Sequence, residues 1–116
     1  MSIPDLQRSL REFAADRDWE QFHVPKNLVM ALMVEAAELT EIFQWLTPEQ
    51  SSAVMSDPAR GEHVREEIAD VLGYLLRLAD VLGVDLESSL AEKITKNAVK
   101  YPVERSRGSA AKYTEL

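Results

Sequence analysis

The sequence has no cysteine, few aromatic residues and no long apolar run, and each absence removes a class of protein. Without cysteine there is no disulfide framework, no thiolate metal site and no cysteine nucleophile. No apolar stretch approaches the roughly 20 residues that a membrane span needs, and the first residues lack a basic segment followed by an apolar one. We therefore expect a soluble, cytoplasmic protein without a membrane partner.

Positive charge is also scarce. The 116 residues include 13 Lys or Arg against 20 Asp or Glu, which gives a net charge of −7, and the basic residues form no stripe. A nucleic-acid polymer would be repelled by such a protein, so none is expected as a partner. A small anion is still a possible ligand if a metal ion bridges it to the protein.

Strict alternation of apolar and polar residues, which is typical of strands, is nearly absent, whereas helical spacing recurs throughout. The fold class is therefore predicted to be all-α, with one domain over residues 1–102 and a polar tail over residues 103–116. Residues 56–61 are predicted to be a connector. Helices are predicted from Pro4 to about residue 18, from Pro25 to about 46, in a short turn capped by Thr47, over residues 62–82 before Gly83, and from Asp85 to before Pro102.

The second predicted helix is apolar nearly all round over residues 28–34. Such a helix is expected to be central in the fold. Because a few short neighbours in one chain cannot cover all of its faces, the pattern also predicts a homo-oligomer. On the long helix, Ile68, Leu75 and Leu82 are predicted to face inward.

Four acids interrupt the apolar stripes of two helices. Glu35 and Glu38 form one ExxE pair, and Glu67 and Asp70 form an ExxD pair. At 100° per residue the members of each pair lie about 60° apart, on the apolar side of their helix. Asp80, by contrast, points well away from this face and is predicted to be solvated.

Burying an unpaired carboxylate costs several kcal/mol, so four together need a cation or protonation. An all-oxygen ligand set favours a hard ion, Mg²⁺ or else Mn²⁺, and Mg²⁺ commonly binds phosphates as well. Two alternatives stay open: ordinary surface acids, and a di-iron carboxylate site. The di-iron site normally requires Glu-x-x-His, and neither His23 nor His63 has that spacing.

Aromatic residues and one histidine are candidates for contact with a flat ligand. Trp19, Trp45 and Tyr74 offer surfaces on which a base can stack, although core packing is the usual role of such residues. His23 lies in the loop before the second helix, where it either contacts a ligand or anchors the loop.

Basic and amide side chains are candidates for phosphate binding. Lys93, Asn97, Lys100 and Tyr101 recur at helical spacing, and an amide on an apolar line needs a partner. Lys26 follows Pro25 at a helix N-terminus, where backbone amides attract anions. For the lysines, a solvated helix face is the competing interpretation.

The stretches FAADRDWEQFHVPKNLVMALMVEAAELTEIFQW and EEIADVLGYLL and the ending SRG-SA-KYTEL resemble the MazG-like all-α nucleotide pyrophosphohydrolases, and among them the dCTP pyrophosphatases. The resemblance implies a bundle of four to five helices that assembles as a dimer of dimers. Whether the tail over residues 103–116 is ordered on a neighbouring subunit stays open. It implies house-cleaning hydrolysis of a nucleoside triphosphate, dCTP or its 5-modified forms, to the monophosphate and pyrophosphate. Mg²⁺ would be held by Glu35, Glu38, Glu67 and Asp70.

The resemblance also implies catalytic roles for Glu35 and Glu38, and we place Glu38 nearest the attacking water. Trp19 and Trp45 match pocket positions. The chain departs from the pattern at Leu10, where the similar animal enzymes are expected to have histidine. The base preference therefore stays open between dCTP and a broader range of nucleotides, and a non-catalytic metal-binding helical dimerisation module is a third possibility.

Overall fold

The computed structural model describes all 116 residues and contains helices and no strand, which confirms the all-α prediction. None of its helices combines the length and apolarity that crossing a membrane requires. The chain divides into two compact units, Met1–Gly83 and Val84–Leu116. The helices are α1 (Ile3–Asp16), α2 (Pro25–Phe43), α3 (Pro48–Ser52), α4 (Pro58–Leu82), α5 (Leu86–Lys100) and α6 (Val103–Ser106), with 3-10 turns at Val54–Ser56 and Tyr113–Glu115.

Several helix ends lie where local sequence signals predicted them. Thr47 forms a capping box, because its hydroxyl accepts a hydrogen bond from the Gln50 amide at 3.1 Å while its own amide donates to Oε1 of Gln50 at 2.9 Å. Asp85 caps α5 by accepting from the Ser88 amide at 2.9 Å. Gly83 ends α4 with φ of 68°, a left-handed conformation that favours glycine.

Other boundaries differ from the prediction. The expected connector over residues 56–61 is wrong from residue 58 onward, because α4 begins at Pro58. The Asp57 carboxylate accepts from the amides of Ala59 and Arg60 at 3.1 and 3.3 Å, and it thereby starts the helix early. Helices α1 and α2 end at Asp16 and Phe43, slightly before their predicted ends.

In the first unit, the 25-residue α4 is the central element, since both α1 and α2 pack against it. The buried apolar side chains come from these three helices and from the 3-10 turn before α4, and are Ala14, Leu28, Val54, Val64, Leu76 and Ala79. The prediction that Ile68, Leu75 and Leu82 face inward is wrong for a single chain, because they are 52%, 39% and 55% exposed.

Helix α2 is not enclosed within one chain, contrary to the prediction of a central helix. Leu28 is its one buried residue. Val29, Met30, Met33 and Val34, which we call the open face of α2, are 46% to 64% exposed. The apolar pattern therefore indicates a surface that needs a partner, because α4 covers only one side of the helix.

In the second unit, the end of the chain contacts the end of α5. The Tyr113 ring packs edge-on against Tyr101, with ring centroids 5.9 Å apart. The Lys100 ammonium lies 4.8 Å from the centroid of the same Tyr113 ring. The tail is thus ordered on its own helix, and a contact with a neighbouring subunit stays a prediction.

Candidate active site

Three carboxylates from two helices meet in the first unit. Glu35 and Glu38 come from α2 and Glu67 comes from α4, and one oxygen of each lies within 4.8 Å of the others. The three-residue spacing puts the first pair on the side of α2 that packs against α4. We call these three residues the acid cluster.

The acid cluster is partly withdrawn from water. Glu67 is only 8% exposed, and Oε2 of both Glu35 and Glu67 is buried without a hydrogen-bond partner. Burial raises the pKa of Glu35 to about 7, and the neighbouring carboxylates of Glu38, Glu67 and Asp70 add to the shift. The cluster therefore cannot carry its full negative charge at neutral pH without a compensating cation.

The residues present fit a divalent cation. All donors of the acid cluster are carboxylate oxygens, which hard ions prefer, and two of those oxygens have no other partner. Nε2 of His63 lies 3.4 Å from Oε1 of Glu67, on the preceding turn of α4. This neighbour of Glu67 was not predicted from the sequence, although the four-residue spacing of His63 and Glu67 is typical of neighbours on a helix.

Asp70, one turn after Glu67, connects the acid cluster to a cavity. Its charge contributes to the raised pKa of Glu35, and its side chain also lines a cavity of about 210 Å³. The other residues that line this cavity are Leu10, Phe13, Trp19, His23, Gly73, Tyr74 and Arg77. Three predicted ligand contacts, Trp19, His23 and Tyr74, thus share one pocket with a predicted metal ligand.

Aromatic rings form one wall of the cavity. Phe13 and Trp19 pack edge to face with centroids 5.7 Å apart, and the His23 ring lies 6.3 Å from the Trp19 ring. A cavity of this volume is smaller than the usual pocket for a drug-sized ligand. Its volume and its aromatic lining suit one flat heteroaromatic ring.

A buried arginine that the sequence analysis did not single out also lines the cavity. Arg77 is 7% exposed, and its Nε donates to Nδ1 of His23 at 3.1 Å while Nη1 donates to Oδ2 of Asp80 at 3.4 Å. Burial and the Arg77 charge lower the pKa of His23. The signal in the sequence was the spacing of Asp70, Tyr74 and Arg77, which places them on one face of α4.

The prediction that Asp80 is solvated is wrong. Its side chain is only 18% exposed and accepts hydrogen bonds from Arg77 and Arg11. The hydrogen bond from Arg11, followed by the charges of Arg11 and Arg77, lowers the pKa of Asp80. Asp80 thus anchors the arginine that contacts His23.

The remaining predicted contacts do not line the cavity. Trp45 is 86% exposed just after α2, and Lys26 is exposed in the first turn of that helix. Lys93, Asn97, Lys100 and Tyr101 belong to the second unit, on α5 and at its C-terminal end. Their roles in substrate binding stay predictions.

Comparisons with known proteins identify the family. A model of the MazG-like family matches residues 30–116, which include all four acids. The chain is 45% identical to dCTP pyrophosphatase 1 of Rattus norvegicus and 44% identical to that of Homo sapiens, over 99% of this chain and 68% of each relative. An uncharacterised protein of Bacillus subtilis is 31% identical over 83% of this chain and 95% of its own length.

The fold has a solved counterpart. The crystal structure of a pyrophosphatase from Archaeoglobus fulgidus matches with a TM-score of 0.80 and 43% identity, over 85% of this chain and 91% of that one. The sequence matches and the helical architecture lead to the same assignment. The chain belongs to the MazG-like family and is a nucleoside triphosphate pyrophosphohydrolase.

Proposed function

We propose that the protein hydrolyses dCTP, or dCTP modified at position 5, to the monophosphate and pyrophosphate with Mg²⁺, and so cleans the nucleotide pool. The observation that carries this proposal is the position of Asp70 between the two parts of the site. Asp70 lines the aromatic cavity, and its charge helps to raise the pKa of Glu35 in the acid cluster. A nucleotide needs such an arrangement, with a place for its base beside a place for metal-bound phosphates.

The names of the relatives support the choice of base. Mammalian proteins that are 44% to 45% identical to this chain over the 115 aligned residues are named dCTP pyrophosphatase 1. One observation favours broader base preference instead: Leu10, rather than the histidine that the resemblance leads us to expect, lines the cavity. An apolar side chain there removes a hydrogen-bonding group that could distinguish one base from another.

Glu38 is suited to receive the proton of the attacking water. It is the exposed member of the acid cluster, whereas Glu67 is buried and Glu35 is half-buried. The water oxygen attacks the α-phosphorus, the bond to the pyrophosphate oxygen breaks, and the water proton moves to the Glu38 carboxylate. When bound, Mg²⁺ would neutralise the charge of the phosphates and polarise the water. The residues that would hold it are Glu35, Glu38, Glu67 and Asp70.

Contacts outside the cavity would complete substrate binding. We assign phosphate contacts to Lys26, Lys93, Asn97, Lys100 and Tyr101, and stacking on the base to Trp45 as well as Trp19. The exposed ammonium groups suit this role because a protein of net charge −7 otherwise repels a triphosphate.

The open face of α2 supports a homo-oligomer, in the form of a dimer of dimers. Its four apolar side chains are 46% to 64% exposed in the single chain, and contiguous apolar surface of this kind commonly marks a protein interface. We also place the assembled enzyme in the cytoplasm, where free nucleoside triphosphates would reach it.

Product analysis tests the function. The protein is incubated with Mg²⁺ and each canonical ribo- and deoxynucleoside triphosphate, and with 5-methyl-dCTP, while pyrophosphate and inorganic phosphate are measured separately. We expect pyrophosphate, with dCTP and 5-methyl-dCTP cleaved most efficiently. Equal rates on several bases would establish the broader preference, and an absence of pyrophosphate from every nucleotide would refute catalysis.

Glu38→Gln is the matched variant for this assay, since it keeps the size of the side chain and removes its basicity. It should lower kcat by roughly 100-fold or more while the circular dichroism spectrum stays unchanged. A non-catalytic dimerisation module would instead show altered association and no turnover in either protein.

A further inference from the structure

His23 is held by Arg77 through one specific ring nitrogen. Nε of Arg77 donates to Nδ1 of His23 at 3.1 Å, although the two residues are 54 positions apart in the sequence. Both side chains line the aromatic cavity. The other ring nitrogen of His23, Nε2, has no hydrogen-bond partner within the protein.

This contact determines the tautomer of His23. An arginine guanidinium carries only donors and stays protonated, so the nitrogen that it contacts must offer a lone pair. The single proton of the neutral imidazole is therefore on Nε2. Protonation of Nδ1 would place two cations against each other, and burial together with the Arg77 charge lowers the pKa of His23.

Arg77 is itself fixed in place. Its Nη1 donates to Oδ2 of Asp80, and the same carboxylate also accepts from Nε and Nη2 of Arg11 at 3.0 and 2.8 Å. The Arg77 side chain is only 9% exposed. A guanidinium packed and bonded in this way keeps its Nε directed at Nδ1 of His23.

We propose that Arg77 is a positioning residue that holds His23 as the tautomer protonated at Nε2, so that the cavity offers an N–H donor to a carbonyl oxygen on the bound base. The nature of the ligand rests on the proposed function, whereas the tautomer depends on the protein alone. Cytosine, uracil, thymine and guanine carry a ring carbonyl, and adenine carries none. The donor therefore contributes to base selection by favouring a base that places a carbonyl oxygen opposite His23 over adenine, whose acceptors are ring nitrogens only.

The tautomer is tested without any nucleotide. Long-range ¹H–¹⁵N spectra of protein labelled with ¹⁵N at histidine should show that Nε2 of His23 is protonated and that Nδ1 is unprotonated. In Arg77→Met, which keeps the apolar stem and removes the donor, the signals should shift to a mixture of tautomers. Arg11→Gln is the control, because it weakens the contact to Asp80 and leaves the Arg77–His23 bond in place. Protonation of Nδ1 in the wild type, or unchanged spectra in Arg77→Met, would overturn the assignment.

Base selection is tested by comparing kcat/KM for dCTP and dATP. His23→Phe should lower kcat/KM for dCTP roughly 10- to 100-fold, mainly through KM, and should change the value for dATP little. His23→Gln carries an N–H near the position of Nε2 and should restore much of the preference. An unchanged ratio of dCTP to dATP in His23→Phe would refute the selection role.

The two arms separate this proposal from the proposed function. If no nucleotide yields pyrophosphate but the spectra show the expected tautomer, the activity is wrong and the positioning role of Arg77 stands. If dCTP is cleaved and His23 is protonated at Nδ1, the activity stands and the positioning role is wrong.

Discussion

Arg11 donates two hydrogen bonds to Asp80, from Nε to Oδ2 at 3.0 Å and from Nη2 to Oδ1 at 2.8 Å, and so joins α1 to α4. A two-point pair of this kind fixes orientation as well as distance. Asp80 also accepts from the buried Arg77. The carboxylate that neutralises Arg77 thus also ties the first helix to the central one.

Removal of Asp80 should destabilise the protein more than removal of Arg11. Asp80→Ala leaves the buried Arg77 charge without its partner, which costs about 3 kcal/mol of unfolding free energy. Arg11 is 52% exposed, so Arg11→Ala should cost no more than about 1 kcal/mol. Urea denaturation of both variants measures the difference, and equal losses would show that Arg77 does not depend on Asp80.

The metal-free protein should lose stability as the pH rises from about 4.5 to about 7. The pKa of Glu35 is raised from 4.5 to about 7 in the folded protein, so over this interval the folded state holds a proton that the unfolded state has released. Denaturation with a chelator present, at several pH values, measures the slope. In Glu35→Gln this part of the slope should vanish, and its persistence would assign the titration to another group.

Mg²⁺ should raise the melting temperature at pH 8, because an ion that binds only the folded state stabilises it. Glu67→Gln should abolish most of this increase. In the absence of metal the same variant should be more stable than the wild type by about 1 kcal/mol, since it removes a buried charge with an unpartnered oxygen. Calorimetry with and without Mg²⁺ tests both signs, and Glu41→Gln on the exposed part of α2 is the matched control.

Trp19 and Trp45 should differ in their contribution to the isolated chain. Trp19 packs on Phe13 and lines the cavity, whereas Trp45 is 86% exposed. Trp19→Ala should therefore lower stability by about 1 kcal/mol or more and raise KM roughly 10-fold or more through lost stacking. Trp45→Ala should leave the unfolding free energy unchanged. A KM increase in Trp45→Ala without a stability change would place its role in substrate binding alone.

The parts of the fold that the sequence predicted depend on neighbours within one or two turns. The Thr47 capping box, the Gly83 stop and the Asp85 cap each involve residues a few positions apart. The clustering of Glu35 and Glu38 with Glu67 follows from helical periodicity together with the packing of α2 on α4. Local chemistry and the helical period were sufficient for the caps and for the two acids of α2, whereas their contact with Glu67 also required α2 to pack on α4.

The features that were missed depend on partners far apart in the chain. The contact of Arg77 with His23 spans 54 positions, and that of Arg11 with Asp80 spans 69. Periodicity reports which face a residue occupies and not which residue of another helix meets it. The same limit explains α2, whose apolar pattern predicted burial without specifying what covers it.

Helix α4 also has a consequence for substrate length. Glu67 of the acid cluster and Arg77 at the cavity are ten residues apart on this one helix. Their separation along the helix axis is therefore about 15 Å at 1.5 Å per residue. An α-helix scarcely stretches, so the distance between the two ends of the site is fixed. A free base or a free pyrophosphate is too short to contact both ends. Only a molecule long enough to reach from one end to the other engages the whole site.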